Sequence, residues 1–289
     1  MNNKRCRAVL TIAALEYRRW IVQSKMVLLV VLFVFIREFA IVPLFKISNM
    51  VQSPLGIVEP FIAVVSSGLL VLILPLVYLV LMSDFPRADV DMPYIMIRSG
   101  RKQWLIGEVL FSILSAFSYV IIVFLSTIVM SLSRCFVYNG WSLAVTEYEN
   151  MFPEATGSFE ANLVPKGLYN QMTPYRAVLI SSMLLLLYLL LLTTIKLLFT
   201  LLHQRELGLV ICCIVIGLGT AGCALKANWM WWFPMAHAIS WLHKTEYLRR
   251  EVMPMWISWF YLVSANIFCS VTSISIVKRA NLDGFSQEI

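Results

Sequence analysis

Four ionisable side chains interrupt otherwise apolar stretches of this chain. Arg37 and Glu38 stand midway through the first stretch, Glu108 near the start of the third and Lys196 near the end of the fourth. Ionisable groups in lipid are costly, and they mark either a transport pathway or a structural pair. Because neighbouring helix positions point about 100° apart, we expect Arg37 and Glu38 to find separate partners on other helices or in a wet cavity. For Lys196 the alternative is snorkelling to the inner headgroups.

Motifs for catalysis are missing from the sequence. The chain has no G-x-x-x-x-G-K-[ST] loop for ATP phosphates, no H-E-x-x-H zinc helix and no G-x-S-x-G nucleophile elbow. His203 is separated from His237 and His243 by an apolar stretch, and their spacing does not indicate a pair with serine. We predict no catalytic residue, no metal site and no enzyme activity, since an intramembrane enzyme would need paired catalytic groups at matching depth.

The apolar stretches must position these side chains. Hydrophobic residues make up 60% of the chain and charged residues 13%, whereas soluble domains carry about 25% charged residues. Each stretch is close to the roughly 20 residues that a helix needs to cross about 30 Å of hydrocarbon. Helices bond all their backbone groups internally, whereas barrel strands would be shorter and alternate in polarity. We predict an all-α polytopic membrane protein with a single transmembrane domain (1–289) and six spans at 26–45, 61–82, 105–130, 176–202, 208–227 and 256–277.

Basic residues near the span ends predict the orientation, because cytoplasmic loops retain Lys and Arg. Thirteen lie on one side: Lys4, Arg5, Arg7, Arg18, Arg19, Lys25, Arg87, Arg98, Arg101, Lys102, Arg205, Lys278 and Arg279. Six lie on the other side: Lys46, Arg134, Lys166, Lys244, Arg249 and Arg250. We therefore predict that both termini, including the tail at 278–289, are cytoplasmic. The net charge of +7 then reflects topology, and no binding of nucleic acid is expected.

The residues before the first span (1–25) form a pattern typical of an amphipathic helix. Val9, Ala13, Tyr17 and Trp20 recur at helical spacing, with arginines on the opposite side. Such a helix lies in the membrane interface, and its aromatic rings sit at headgroup depth. The alternative is a simple basic anchor for the first span.

The loop between the second and third spans (83–104) carries charges on both sides of an apolar patch at 92–97. A loop that only connects two spans has little reason to expose an apolar patch to water. A protein partner on the cytoplasmic side would cover it. The alternative is a short helix folded back onto the membrane.

Two outer segments complete the chain. The first, 131–175, is too short for a confident independent domain. The second, 228–255, and the start of the next span are rich in tryptophan, which favours the interface, so we predict short re-entrant helices there. Such helices would line a substrate exit or simply anchor the segment. The tryptophans are Trp229, Trp231, Trp232, Trp241, Trp256 and Trp259.

The second inner loop also carries a family resemblance. Asp84 follows a span directly, Arg98-Ser99-Gly100-Arg101 follows later, and Trp104 and Gly107 enter the next span. Together with six spans, an interfacial N-terminal helix, a very short fourth inner loop and a basic tail, this arrangement resembles the permease subunits of bacterial ABC exporters of the type-two class. The chain departs from that pattern at Glu108, where many relatives have a basic residue.

The resemblance implies a division of labour. A separate ABC ATPase subunit would bind ATP and Mg²⁺, and this chain would hold no cofactor of its own. Two permeases, identical or different, would work with two ATPases in the bacterial plasma membrane and alternate between inward and outward openings. The residues of the loop 83–104 implied to couple to the ATPase are Asp84, Arg87, Asp89, Arg98, Arg101 and Trp104. A membrane sensor or accessory protein that does not transport is the alternative, and its outer loop should hold a compact ligand-binding fold.

Overall fold

The computed structural model describes residues 3–87, 92–246 and 251–279, and most of these residues are helical. The helices are α1 (Asn3–Val22), α2 (Val27–Ile36), α3 (Val42–Val51), α4 (Glu59–Ser66), α5 (Gly68–Leu81), α6 (Met92–Ser99), α7 (Arg101–Ser131), α8 (Leu143–Thr146), α9 (Tyr148–Met151), α10 (Lys166–Tyr169), α11 (Pro174–Leu201), α12 (Arg205–Ala224), α13 (Pro234–Ala238) and α14 (Met255–Arg279). Two strands of two residues each, β1 (Leu55–Gly56) and β2 (Cys135–Phe136), pair in parallel.

Five continuous helical stretches in the described residues are long and apolar enough to cross a bilayer. They are Ser24–Val51, Arg101–Arg134, Pro174–Leu201, Arg205–Ala224 and Met255–Val277. The first contains α2 and α3, joined by a π-helical turn at Arg37–Ile41. The prediction of an all-α polytopic membrane protein is confirmed at this level.

The remaining predicted span, 61–82, which is the second along the chain, is bent. α4 and α5 meet at 83°, and the break falls at Ser67, whose backbone is extended. Ser66, Ser67 and Gly68 stand together at this point, and Gly and Ser pairs are a common cause of sharp kinks. The segment is therefore a broken span or a re-entrant pair.

The centre of the bundle is α11, which packs against α7, α12 and α14. Its Tyr188 is completely buried, as are Tyr78 on α5 and Tyr119 on α7. α12 returns closely along α11: a Cβ added at Gly208 would lie only 2.7 Å from Phe199 Cβ. These contacts bring the inner ends of α5, α11 and α12 together. "Inner" here means the side predicted to be cytoplasmic.

The N-terminal helix α1 packs along α7 and buries one face there. Val9, Ile12 and Ala13 are buried, and Tyr17 shares a 2.6 Å hydrogen bond with Ser118 of α7. Trp20 is also buried, so its ring packs against other residues of the chain, and its placement at headgroup depth stays a prediction. The amphipathic pattern of α1 serves packing against a helix, and such a pattern is equally typical of an interfacial helix.

The outer segment that follows α7 is held to the bundle by the buried carboxylate of Glu59 at the start of α4. It accepts hydrogen bonds from the backbone N–H of Gly56 at 2.9 Å and of Ser142 at 2.6 Å. The Ser142 hydroxyl donates a third at 2.8 Å. The three donors offset the cost of burying this carboxylate, and they attach the outer segment to the beginning of the bent span.

Candidate functional site

Several helices meet at the segment that follows α5, on the inner side. Lys25, just before α2, donates from Nζ to Asp84 Oδ2 at 2.7 Å and also to the Ser83 hydroxyl. Arg205, the first residue of α12, donates to the Ser83 carbonyl at 3.2 Å and lies 3.8 Å from Asp84. Asp84 therefore links the start of the first apolar stretch to the start of α12.

Lys196 contributes to this junction from the buried interior of the bundle. Its side chain is wholly buried, and Nζ donates to the carbonyls of Met82 and Ser83. The last carbonyls of a helix lack partners within it and carry the negative end of its dipole. Lys196 of α11 thus caps the end of α5, and the alternative of snorkelling to the headgroups is wrong.

Asp84 lies in a positive environment. The hydrogen bond from Lys25 lowers the pKa of this carboxyl, and the charges of Arg205 and Arg87 act in the same direction against the opposing effect of partial burial. Asp84 is therefore ionised at neutral pH. The negative charge of Asp84 offsets the repulsion between the two nearby cations, Lys25 and Arg205.

Arg87 connects the same segment to α1. Its Nη2 donates to the Arg19 carbonyl at 3.3 Å, and its Nε lies 4.0 Å from the buried Glu16 carboxylate. Glu108 on α7 is also buried; Trp104 hydrogen-bonds it, and the charges of Glu16 and Arg87 act on it. Glu108 therefore belongs to a structural group with α1.

We call the connected set of inner side chains the inner charge network. Its members come from four helices, α1, α7, α11 and α12, and from two connecting segments. One segment precedes α2 and the other follows α5. They are Glu16, Arg19, Lys25, Ser83, Asp84, Arg87, Glu108, Lys196 and Arg205.

The short helix α6 stands beside this network. Met96 is buried, whereas Tyr94 and Ile97 are each 70% exposed. These two residues are three apart and therefore share a helix face. Arg98 next to them is exposed as well. The predicted apolar patch is thus presented on a helix.

A tight turn joins α6 to α7 at Gly100, whose φ is +91°. A side chain there would be strained by this φ, and its Cβ would lie 2.5 Å from Gln103 Oε1. Arg101 and Trp104 follow inside α7, so they belong to a helix and not to the predicted loop 83–104. Asp89, also predicted to couple, lies outside the described residues.

The expectation that Arg37 and Glu38 find separate partners is wrong, whereas a role in lining a pathway stays a prediction. Arg37 Nη1 lies 3.0 Å from Glu38 Oε1, and the two side chains are 64% and 49% exposed on the surface of the chain. They stand at the start of the π-helical turn, where the helix is wider than usual. Both side chains are long enough to meet despite their different directions, so neither takes a separate partner in the bundle interior.

A second polar cluster, on the outer side, was not predicted. His237 and His243 both contact the buried hydroxyl of Ser258, at 2.7 and 2.6 Å. The sequence signal was two histidines close together in an aromatic segment, and only helix packing supplies the serine. In the described ranges, no three or more His, Cys, Asp or Glu side chains are grouped to hold a metal ion.

Comparison with known protein families, curated proteins and solved structures returned no match.

Proposed function

We propose that the chain is the membrane-spanning permease subunit of a bacterial type-two ABC exporter, with the bent pair α4–α5 as its sixth span. It would lie in the plasma membrane with both termini cytoplasmic. A second permease would complete the pathway, and a separate ABC ATPase would bind ATP and Mg²⁺. The observation that carries the proposal is α6, which exposes Tyr94 and Ile97 next to Arg98 on the inner side.

The face of α6 is suited to a protein partner. Tyrosine and arginine are enriched in interface hot spots, and Tyr94 and Arg98 are both exposed one helical turn apart. The guanidinium of Arg98 can bind a carboxylate of the partner in a bidentate way. A nucleotide-binding subunit is the partner that a membrane chain without a P-loop needs in order to use ATP.

The inner charge network provides a route for transmitting movement. α6 packs on α1 and α7, and the segment before it is bonded to Lys25, Lys196 and Arg205. A displacement of α6 by an ATPase would therefore act on the first apolar stretch, α11 and α12 together. Such shared bonding favours concerted motion of several spans over the movement of a single loop.

The outer segment favours transport over the sensor alternative. Its helices α8, α9 and α10 have four residues each and pack onto the bundle or onto one another. Glu59 fastens this segment directly to α4. A sensor would be expected to present a compact ligand-binding fold at this place.

The test disrupts the α6 face and compares it with a matched outer face. Tyr94→Ser with Ile97→Ser should lower recovery of a P-loop ATPase with the tagged chain at least about tenfold, since loss of interface anchors typically costs more than 2 kcal/mol. Val137→Ser with Tyr138→Ser is the control, because that pair is exposed to a similar degree, 76% and 68%, on the outer side. Recovery is measured by quantitative mass spectrometry after mild solubilisation.

Three results would contradict the proposal. The first is a wild-type chain that retains no P-loop ATPase. The second is equal recovery with the α6 variant and with the control. The third is strong ATP hydrolysis by the purified chain alone.

A further inference from the structure

Two histidines on the outer side point their ring nitrogens at one serine hydroxyl. His237 Nδ1 lies 2.7 Å from Ser258 Oγ, and His243 Nε2 lies 2.6 Å from the same oxygen. All three residues are buried, with at most 2% of any of them exposed. His237 belongs to α13, His243 to a short 3₁₀ turn at Ser240–His243, and Ser258 to α14.

Backbone carbonyls decide which nitrogen of each ring carries hydrogen. His237 Nε2 lies 2.9 Å from the Trp231 carbonyl, and His243 Nδ1 lies 3.0 Å from the Ile239 carbonyl. A carbonyl oxygen only accepts, so each of these nitrogens must be the donor. In a neutral imidazole the other nitrogen is then a lone-pair acceptor. Both of those acceptors face Ser258.

The proton count of the neutral cluster does not balance. A serine hydroxyl has one hydrogen, and it can be donated to only one of the two rings. The other nitrogen then meets an oxygen lone pair at hydrogen-bond distance, which is unfavourable in a buried site. With one added proton, one ring donates to Ser258 Oγ and the hydroxyl donates to the other ring, so both contacts become hydrogen bonds.

We propose that His237, Ser258 and His243 form a binding site for a single proton, shared between the two imidazoles through the serine hydroxyl. A second proton would place two buried cations on either side of one oxygen and leave the hydroxyl hydrogen without either ring as acceptor. The site therefore binds one proton. This inference does not depend on the proposed transport function.

The surrounding aromatic rings suit a positive charge. The ring of Tyr261 stacks on His237 at 4.2 Å, and the ring of Trp231 lies 5.5 Å from His237 and 5.1 Å from His243. Aromatic faces within about 6 Å attract a cation. The stacked ring of Tyr261 presents its face to His237 and therefore favours the charged state of the cluster without supplying a fixed negative charge.

Burial acts in the opposite direction and sets the pH range. It lowers the pKa of His237, and it lowers that of His243 to about 4, while the hydrogen bond to the Ile239 carbonyl partly opposes the effect. The site is therefore empty at neutral pH and fills on acidification. Other titratable groups on the elements packed around it, or close in the same segment, include Glu149, Lys166, Tyr169, Tyr175, Arg176, Tyr188, Cys223, Lys226, Lys244, Glu246, Glu251 and Tyr261.

Filling the site has a structural consequence. The proton turns an unfavourable contact into a hydrogen bond between the outer segment and α14. Acidification on that side would therefore tighten the attachment of the segment 228–246 to the last span. Such a device responds to the pH of one compartment only.

The test follows the imidazoles by NMR in the full chain, labelled with ¹⁵N-histidine in nanodiscs, between pH 8 and about pH 3, since the pKa of His243 is lowered to about 4. The chain has only three histidines, and His203 on the other side serves as an internal reference. We expect His237 and His243 to shift with one common midpoint and to take up one proton together. His243→Gln should lower the midpoint of His237 by about one pH unit or more, an approximately tenfold weaker proton affinity, because a glutamine amide can donate to Ser258 and removes the conflict.

Ser258→Ala provides a second variant and should abolish the common midpoint, with folding of both variants checked by circular dichroism. Independent titration of the two rings in the wild-type chain would overturn the proposal. Uptake of two protons in this range, or of none, would do so too. An unchanged midpoint of His237 in the His243→Gln variant would also overturn the proposal.

Discussion

Single buried side chains hold the backbone of this protein at the places where its helices end. Lys196 caps α5, and Glu59 binds three donors at the start of α4. In each case an ionisable side chain bonds backbone groups at a helix end or in a loop. The carbonyls that Lys196 binds have a second donor each, in the Phe85 N–H and in Arg205, so removing Lys196 costs its own bonds and leaves neither carbonyl without a partner.

At this scale we predict that Lys196→Met lowers the stability of the chain by about 1–3 kcal/mol, because two buried hydrogen bonds from Nζ are lost and each contributes about 0.5–1.5 kcal/mol. The Met82 and Ser83 carbonyls keep one donor each, the Phe85 N–H and Arg205. Methionine keeps most of the volume of the lysine stem. Lys46→Met is the control, since Lys46 is 63% exposed and pairs only with Glu160 at the surface, where such pairs contribute about 0–1 kcal/mol. Thermal unfolding in detergent measures the stability of both variants relative to the wild-type chain. Equal stability of the two variants would refute the capping role.

At the scale of elements, close helix contacts decide how α1 and α6 reach the bundle. α1 approaches α7 so closely at Gly107 that an added Cβ would lie 2.8 Å from Ile12 Cγ2 and 2.9 Å from Ile12 Cβ. The glycine is therefore a requirement of packing and not of backbone conformation. The position of α6 follows from the same contact, because α6 packs on both of these helices.

We predict that Gly107→Ala displaces α1 and destabilises the chain by about 1–3 kcal/mol, the usual cost of overpacking, even though alanine is the better helix former. Gly217→Ala is the matched control, because a Cβ there meets nothing within 4 Å. Hydrogen exchange of α1 amides should rise in the first variant only. Equal exchange of the α1 amides in the two variants would show that the contact between Gly107 and Ile12 does not set the position of α1.

At the scale of the whole molecule, the distribution of basic residues predicts the orientation of every helix. The thirteen-to-six split predicts that the inner charge network and α6 are cytoplasmic. The His237–Ser258–His243 site then faces the outer compartment. Both proposals made above rely on this sidedness for their biological meaning.

Cysteine labelling tests the orientation directly in intact cells. In a background with Cys135→Ser, which removes the partly exposed cysteine of the outer segment, cysteine at Glu154 should react with an impermeant thiol reagent. Cysteine at Arg101 should react only after the membrane is permeabilised, because that position is predicted to be cytoplasmic. Equal labelling of the two positions in intact cells would overturn the assignment.

Hydropathy alone determined where the long helices of this protein lie. In lipid an apolar run must satisfy its own backbone polar groups, so its length and composition suffice to predict a helix. Five of the six predicted spans coincide with continuous helices, and the remaining one, 61–82, is broken between Ser66 and Gly68. The exposed apolar face of α6 was also foreseen, because Tyr94 and Ile97 lie in an apolar patch between charges.

The tertiary structure alone decided which polar groups meet. Lys196 reaches the Met82 carbonyl across 114 positions of sequence, and His237 reaches Ser258 across 21. Arg37 and Glu38, by contrast, pair with each other and not with distant partners. Such pairings depend on how each helix is rotated and shifted against its neighbours, and hydropathy specifies neither. A pattern of apolar residues predicts that a segment is helical, whereas packing in three dimensions determines what each polar side chain contacts.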